Sequence, residues 1–150
     1  MSNRYGASGR LATAPAAGGL IAEVRASATR RMVVEEITVS LGAATATTVA
    51  LGRATSQGAG GSAVVGQQED LGAPAGTGSL VLPTFTTAPP FNNALGVRRV
   101  TLSPAVGALV SWTWDSDDRL VIPAGSSVVL WNAGAAAGAA VIDLFVVYSE

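Results

Sequence analysis

From Leu20 onward the chain is a series of short runs rich in Val, Ile, Thr and Leu, and Gly, Pro, Asn or Asp separates each run from the next. This punctuation is typical of successive β-strands, because β-branched residues fit the pleated conformation and turn residues interrupt it. Helices are disfavoured, because the Ala-rich stretches contain Gly, which costs about 1 kcal/mol per residue relative to Ala in a helix. The sequence therefore predicts an all-β domain over residues 20–150, an antiparallel β-sandwich that is jelly-roll-like.

The predicted strands show where the core side chains lie. In the second of them, Val33, Ile37, Val39 and Leu41 share one face, and Glu35 breaks the alternation. Either a β-bulge changes the register at Glu35, or its carboxylate lies on a covered face with an Arg partner. The last strand is apolar on both faces, which indicates the middle of a sheet or a subunit contact. The predicted strands span residues 20–26, 31–41, 45–54, 63–65, 79–82, 97–102, 108–114, 119–122, 126–132 and 139–148.

Three segments are predicted to be irregular. Residues 55–79 are rich in Gly, and their GAGGSA sequence is a flexible loop rather than a dinucleotide-binding loop, because no helical pattern follows it. The prolines and asparagines of TFTTAPPFNN predict a turn. The stretch AGAAAGAAV is predicted to be a loop that leads into the last strand.

The first nineteen residues lack any period that would define a buried face. They are mostly Gly, Ala, Ser and Pro, with Arg4, Tyr5 and Arg10 as the large side chains. We therefore predict an extended N-terminal arm over residues 1–19, held in place by a neighbouring subunit.

Charge and hydropathy exclude several classes of partner. The chain has 150 residues and a formal net charge of −1, and all nine of its basic residues are Arg. Such a balance lacks the clustered cations that bind nucleic acid. The longest apolar stretch is shorter than the roughly 18–20 residues that span a bilayer. We predict no nucleic-acid partner, no membrane segment and no secretory signal.

Most catalytic chemistry is missing, because the chain contains no His, Cys or Lys. Carboxylate chemistry remains open, with acidic residues at Glu35/Glu36, Glu69/Asp70 and Asp115/Asp117/Asp118. A carboxylate hydrolase would need two of them across one cleft, and Glu35 and Asp117 are the residues to test. The Asp115–Asp118 segment could attract Ca²⁺, but Asp and Ser are also ordinary hairpin-turn residues. We predict a hairpin turn, no cofactor, no metal site and no enzymatic activity.

Three tryptophans are the remaining candidates for ligand binding. Trp112 and Trp114 share one face of a predicted strand, and Trp131 is the third. Exposed, they would form a platform for stacking sugars. Core packing is the favoured interpretation, because other bulky residues are scarce.

From Arg31 onward the order of elements resembles small virion proteins of tailed bacteriophages, namely capsid decoration or minor head proteins with a β-sandwich fold. The resemblance covers about 120 residues and depends on an early long strand, RRMVVEEITVSLGA, a second strand ending in Arg, TTVALGRAT, and a Gly-rich insertion. It continues through RLVIPAGSSVVLWNA to the terminal strand VIDLFVVYSE.

This resemblance implies a structural protein of the virion, assembled in the host cytoplasm, that decorates or stabilises a capsid. Its partners would be the major capsid protein or other virion proteins, and it would form a homo-oligomer, with a trimer favoured. Candidate assembly contacts are Arg4, Tyr5, Arg10, Phe85 and Phe91. The alternative function is a carbohydrate- or receptor-binding jelly-roll module.

Overall fold

The computed structural model describes residues 3–13, 15–115, 117–134 and 141–150, and within these ranges it contains strands, turns and loops but no helix. Accordingly, no helix in the described part of the chain is long and apolar enough to cross a membrane. The strands are β1 Arg4–Leu11, β2 Leu20–Arg25, β3 Met32–Leu41, β4 Thr47–Arg53, β5 Ala59–Val65, β6 Gln67–Gln68, β7 Ser79–Thr87, β8 Arg98–Leu102, β9 Leu109–Thr113, β10 Leu120–Ile122, β11 Ser127–Asn132 and β12 Ile142–Ser149.

The strands form two antiparallel sheets that pack face to face, and each sheet has six strands. In the first sheet the order is β10, β3, β12, β1, β6. β9 also pairs with β3, on the same edge as β10 but farther along that strand. The second sheet has the order β5, β7, β2, β11, β4, β8. The predicted all-β antiparallel sandwich is therefore confirmed, and its jelly-roll connectivity stays a prediction.

The main core fills the space between the two sheets, and alternation along each strand determines which side chains enter it. Ile37 and Val39 of β3 and Val128 and Leu130 of β11 all belong to this core, and all are fully or almost fully buried. Burying each such side chain contributes about 1.5–3 kcal/mol relative to leaving it in water. The periodic apolar pattern of the sequence thus accounts for the sandwich.

Glu35 marks a β-bulge in β3. The partners of β12 skip from Glu36, opposite Val147, to Val34, opposite Tyr148. The extra residue places Val34 on the core side, so the prediction that Val33 shares the core face is wrong. The bulge interpretation of Glu35 is confirmed. Its carboxylate also forms an ion pair with Arg4 at 2.8 Å, but the side chain is 34% exposed and does not lie on a covered face.

The N-terminal segment is the largest difference from the prediction. Residues Arg4–Leu11 form β1, which pairs with β12 over its whole length and with β6 on its other side. Tyr5 and Ala7 point into the main core, and Gly9 lets Leu82 approach β1 closely. The prediction of an arm is therefore wrong for these residues. The alternation was hidden because Ala7 and Gly9 occupy two of the four positions on the inward face.

The Gly-rich section also contains more strand than predicted. β5 begins at Ala59, and β7 continues to Thr87, into the segment predicted to be a turn. Gly60 and Gly61 adopt positive φ angles of 74° and 90°, at the two register shifts that interrupt β5. Only glycine adopts this conformation without strain, so a Gly-rich sequence here can still form a strand.

The central position predicted for the last strand is confirmed, since β12 is hydrogen-bonded to both β3 and β1. Its side chains Ile142, Leu144, Val146 and Tyr148 lie in the main core. On the opposite face Val147 is buried, whereas Phe145 is 39% exposed. The AGAAAGAAV loop falls mostly within residues 135–140, outside the described residues.

If β1 is an integral strand, shortening its largest core side chain should destabilise the whole domain. We expect Tyr5→Ala to lower the free energy of unfolding by about 3–5 kcal/mol, because the substitution leaves a cavity in the core. Urea denaturation measures the change, and Ser8→Ala, an exposed position on the same strand, is the control expected to stay within about 0.5 kcal/mol. A Tyr5→Ala protein as stable as the wild type would mean that residues 4–11 act as an arm.

Candidate functional site

Tyr5 is unavailable as a contact for another subunit. It is 0% exposed, its ring stacks on Tyr148 with centroids 5.4 Å apart, and its hydroxyl donates to Pro74 O at 3.0 Å. Tyr148 is also buried and donates to Gly78 O at 2.8 Å. The prediction that Tyr5 is an assembly contact is therefore wrong, and the tyrosine pair instead anchors the Gly-rich section that follows β6.

Arg4 and Arg10 remain on the surface, although both have partners within the chain. The guanidinium of Arg4 bridges Glu35 and Glu69 at 2.8 and 3.1 Å. Arg10 binds Asp143 through two hydrogen bonds of 2.6 and 2.9 Å, which hold the pKa of that carboxyl below its usual value. Contact of either arginine with another subunit stays a prediction.

The two predicted aromatic contacts, Phe85 and Phe91, have intramolecular packing roles. The ring of Phe91 lies 5.1 Å from that of Trp131 and is half-buried against it. Phe85 lies over Gly61, where a Cβ atom would come within 3 Å of the ring. Both rings keep some exposed surface, so a role in assembly stays a prediction.

The three tryptophans do not form one sugar-stacking platform. Trp131 is 1% exposed and lies in a small separate cluster with Ala50 and Val129, outside the main core. Trp114 is 8% exposed and belongs to the main core, against which Trp112 is partly buried. Core packing, the favoured interpretation of these residues, is confirmed for Trp114 and Trp131.

Two of the candidate carboxylates, those of Glu35 and Asp115, line one cavity of about 310 Å³ together with Arg119 and Trp114. Oδ1 of Asp115 accepts backbone N–H bonds from Asp117 and Asp118 at 2.9 and 3.1 Å, and these bonds lower the pKa of Asp115. A general acid at neutral pH needs a raised pKa. Asp115 therefore does not have the raised pKa that the general acid of a carboxylate hydrolase needs.

The remaining acidic residues have structural roles. Hydrogen bonds from Thr38 and Ser111 lower the pKa of Glu36, and Asp70 accepts the N–H of Gly72 within a turn. The Asp115 bonds have the geometry of a side-chain-capped turn, as predicted. The turn does not close a hairpin, because β9 and β10 each pair with β3 and, among the described strands, not with each other. Within the described residues, no group of three or more acidic, His or Cys side chains could hold a metal ion.

One side of the sandwich leaves apolar core residues incompletely covered. There β8 ends the second sheet, β9 lies at the edge of the first sheet, and residues 103–108 join them. Val106 and Leu109 are 71% and 61% exposed. Partly buried side chains that pack against the main core on this side are Val100, Ala108, Val110 and Trp112. We call this side, comprising β9 and these neighbours, the open edge.

The open edge has the composition of a protein contact. β9 has the sequence LVSWT, with no charged residue. Interface centres are depleted in charge and enriched in aromatic residues, and exposed apolar patches commonly mark interaction sites. The sequence indicated a strand here but not its place in the sheet, so only the uncharged run containing Trp112 could have suggested the surface.

A comparison with known protein families, with curated proteins and with solved structures finds no match for this chain. Its function therefore has to be inferred from its residues and their geometry.

The buried Tyr148 predicts an alkaline loss of stability. Burial, together with the nearby charge of Glu150, raises its pKa well above the usual value of 10.0, so the folded chain retains a proton that the unfolded chain releases above about pH 10. Because the unfolded state then binds fewer protons, the free energy of unfolding should fall by about 1.4 kcal/mol per pH unit.

Urea denaturation between about pH 8 and 11.5 measures this slope. Tyr148→Phe removes the titrating hydroxyl and keeps the ring. We therefore expect the free energy of unfolding of this variant to fall less steeply with pH, by the contribution of one proton. Equal slopes in the two proteins would contradict a buried, neutral Tyr148.

Proposed function

We propose that this chain is a non-enzymatic structural protein of a virion that forms homo-oligomers and decorates or stabilises the capsid of a tailed bacteriophage. The observation that carries the proposal is the open edge, where the core of a single copy is left partly exposed. The resemblance to small virion proteins supports the same function, and the major capsid protein or another virion protein is then the partner.

The exposure at the open edge has an energetic consequence. An assembly that covers Val106, Leu109 and Trp112 gains about 25 cal/mol for each Å² of apolar surface removed from water. No charged group of β9 has to be desolvated for this gain. Assembly would therefore complete the core that one copy leaves open.

The arrangement of the titratable groups supports a non-enzymatic function. Glu35 is held by Arg4, Asp143 by Arg10 and Asp115 by its own turn. The bonds to Asp143 and Asp115 lower the pKa of both carboxyl groups, whereas acid–base catalysis by two carboxylates needs one of them protonated at neutral pH.

A carbohydrate- or receptor-binding module is the second candidate function. The cavity beside Trp114 favours it, because an indole, two carboxylates and the guanidinium of Arg119 surround about 310 Å³. Trp114 offers little ring surface for stacking, since it is 8% exposed. We therefore prefer the structural function.

The structural function predicts that purified particles contain the protein. For the virus whose genome encodes the chain, we expect a fixed number of copies per particle, measured by quantitative mass spectrometry of gradient-purified particles. Particles from a virus with a stop codon in this gene should release their DNA at a lower temperature, and adding back the purified protein should restore the wild-type temperature. Recovery of the chain only in the soluble fraction of the lysate would contradict the proposal.

A further inference from the structure

β9 presents a row of backbone groups that no strand among the described residues pairs with. The strand bonds to β3 on one side, and Trp114 N–H donates to Glu35 O while Ala108 O accepts from Leu41 N–H. In an antiparallel strand the N–H and C=O of one residue point to the same side, and successive residues alternate. The backbone N–H and C=O groups of the even-numbered residues therefore point toward β3. Those of Leu109, Ser111 and Thr113 point away from it, toward the open side.

We propose that β9 of a second copy pairs antiparallel with this edge, about a two-fold axis at Ser111. The proposal rests on the homo-oligomer of the proposed function and identifies its contact. Unpaired strand edges bind extended strands through their backbone groups, and a two-fold contact uses the same patch of both copies.

The sequence of β9 is complementary to itself in this register. Pairing about Ser111 places Val110 opposite the second copy's Trp112, and Leu109 opposite its Thr113. Val110 and Trp112 are the partly exposed core residues of the strand, so each copy covers the opening in the other. Aromatic side chains opposite β-branched ones are favourable cross-strand pairs, and no residue of β9 is charged.

The other sheet edges of the described chain fit a second copy less well. β8 carries Arg98 and Arg99, and the register shifts at Gly60 and Gly61 interrupt β5. β6 has two residues and β10 has three. Charges, bulges and short length are the devices that protect edges from pairing, and β9 has none of them.

A two-fold contact requires an even number of copies, whereas the resemblance to decoration proteins implied a trimer. The mass of the wild-type protein in solution distinguishes the two. Both states are compatible with a virion protein, so this measurement tests the contact and not the proposed function.

A single cysteine at the two-fold axis tests the pairing directly. The chain has no Cys, so Ser111→Cys can form a disulfide only between two copies. Directly opposite residues of a hydrogen-bonded pair have Cα atoms about 5.5 Å apart, within the roughly 4.4–6.8 Å that a disulfide spans. Ser62→Cys is the matched control, because Ser62 is exposed on β5, another uncharged edge strand.

Under a mild oxidant we expect Ser111→Cys to form a covalent dimer at least about tenfold faster than Ser62→Cys, because pairing holds the two thiols at a high effective concentration. Ser111→Pro should be monomeric by light scattering and keep a cooperative unfolding transition, because it removes an outward N–H and leaves the ladder to β3 intact.

Equal rates for the two cysteine variants, or faster dimerisation of Ser62→Cys, would overturn the pairing. If Ser111→Pro fails to fold, the comparison of the two cysteine variants still tests the pairing of β9. An oligomeric wild type with no Ser111 crosslink would overturn this contact and leave the proposed function standing, whereas absence of the chain from particles would overturn the proposed function itself.

Discussion

Strand β12 is hydrogen-bonded to β3 on one side and to β1 on the other, and its alternate side chains fill the centre of the main core. Both partners are far from β12 in sequence, so the first sheet forms only when both termini of the chain are in place. The backbone groups of Asn3 and Glu150 bond to each other at the end of this pairing. Long-range pairing of this kind is entropically costly, and the apolar area that β12 buries offsets that cost. The position of β3, and therefore of the edge that carries β9, depends on it.

The two sides of the sandwich are closed to different extents. On the side of β6 the Gly-rich section folds back over the core, because Gly66 and Gly76 have no side chain to clash with Tyr148 and Tyr5. The carboxylate of Glu150 accepts hydrogen bonds from Thr77 and Gly78 and holds this section in place. On the side of β9 no described segment covers Val110 and Trp112 completely. A fold that covers one side with a long docked segment and leaves the other apolar is consistent with assembly through the second side.

Strong alternation of apolar and polar side chains made most of the strands predictable. The strands that were missed or shortened are those whose small side chains give little alternation. β3, β4, β11 and β12 carry β-branched residues at the spacing of a strand, and the structure places strands there. β1 was missed because Gly, Ala and Ser hide its alternation, and the length of β5 was missed because its glycines resemble a loop. Burial of Trp114 and Trp131 followed from the scarcity of large side chains. The open edge could not be predicted, because a sequence pattern identifies a strand without giving its neighbours in the sheet.

These features give one physical account, in which a sandwich closed by its terminal strands leaves β9 as an uncharged, incompletely covered edge, through which we propose that copies assemble. Residue-resolved hydrogen exchange at low and high protein concentration tests this account most directly. The amides of Val110 and Trp112, which bond to β3, should be protected at both concentrations. Those of Leu109, Ser111 and Thr113 should exchange rapidly in dilute protein and become protected as copies associate. Rapid exchange of these three amides at every concentration, in a protein that nevertheless assembles, would contradict the account.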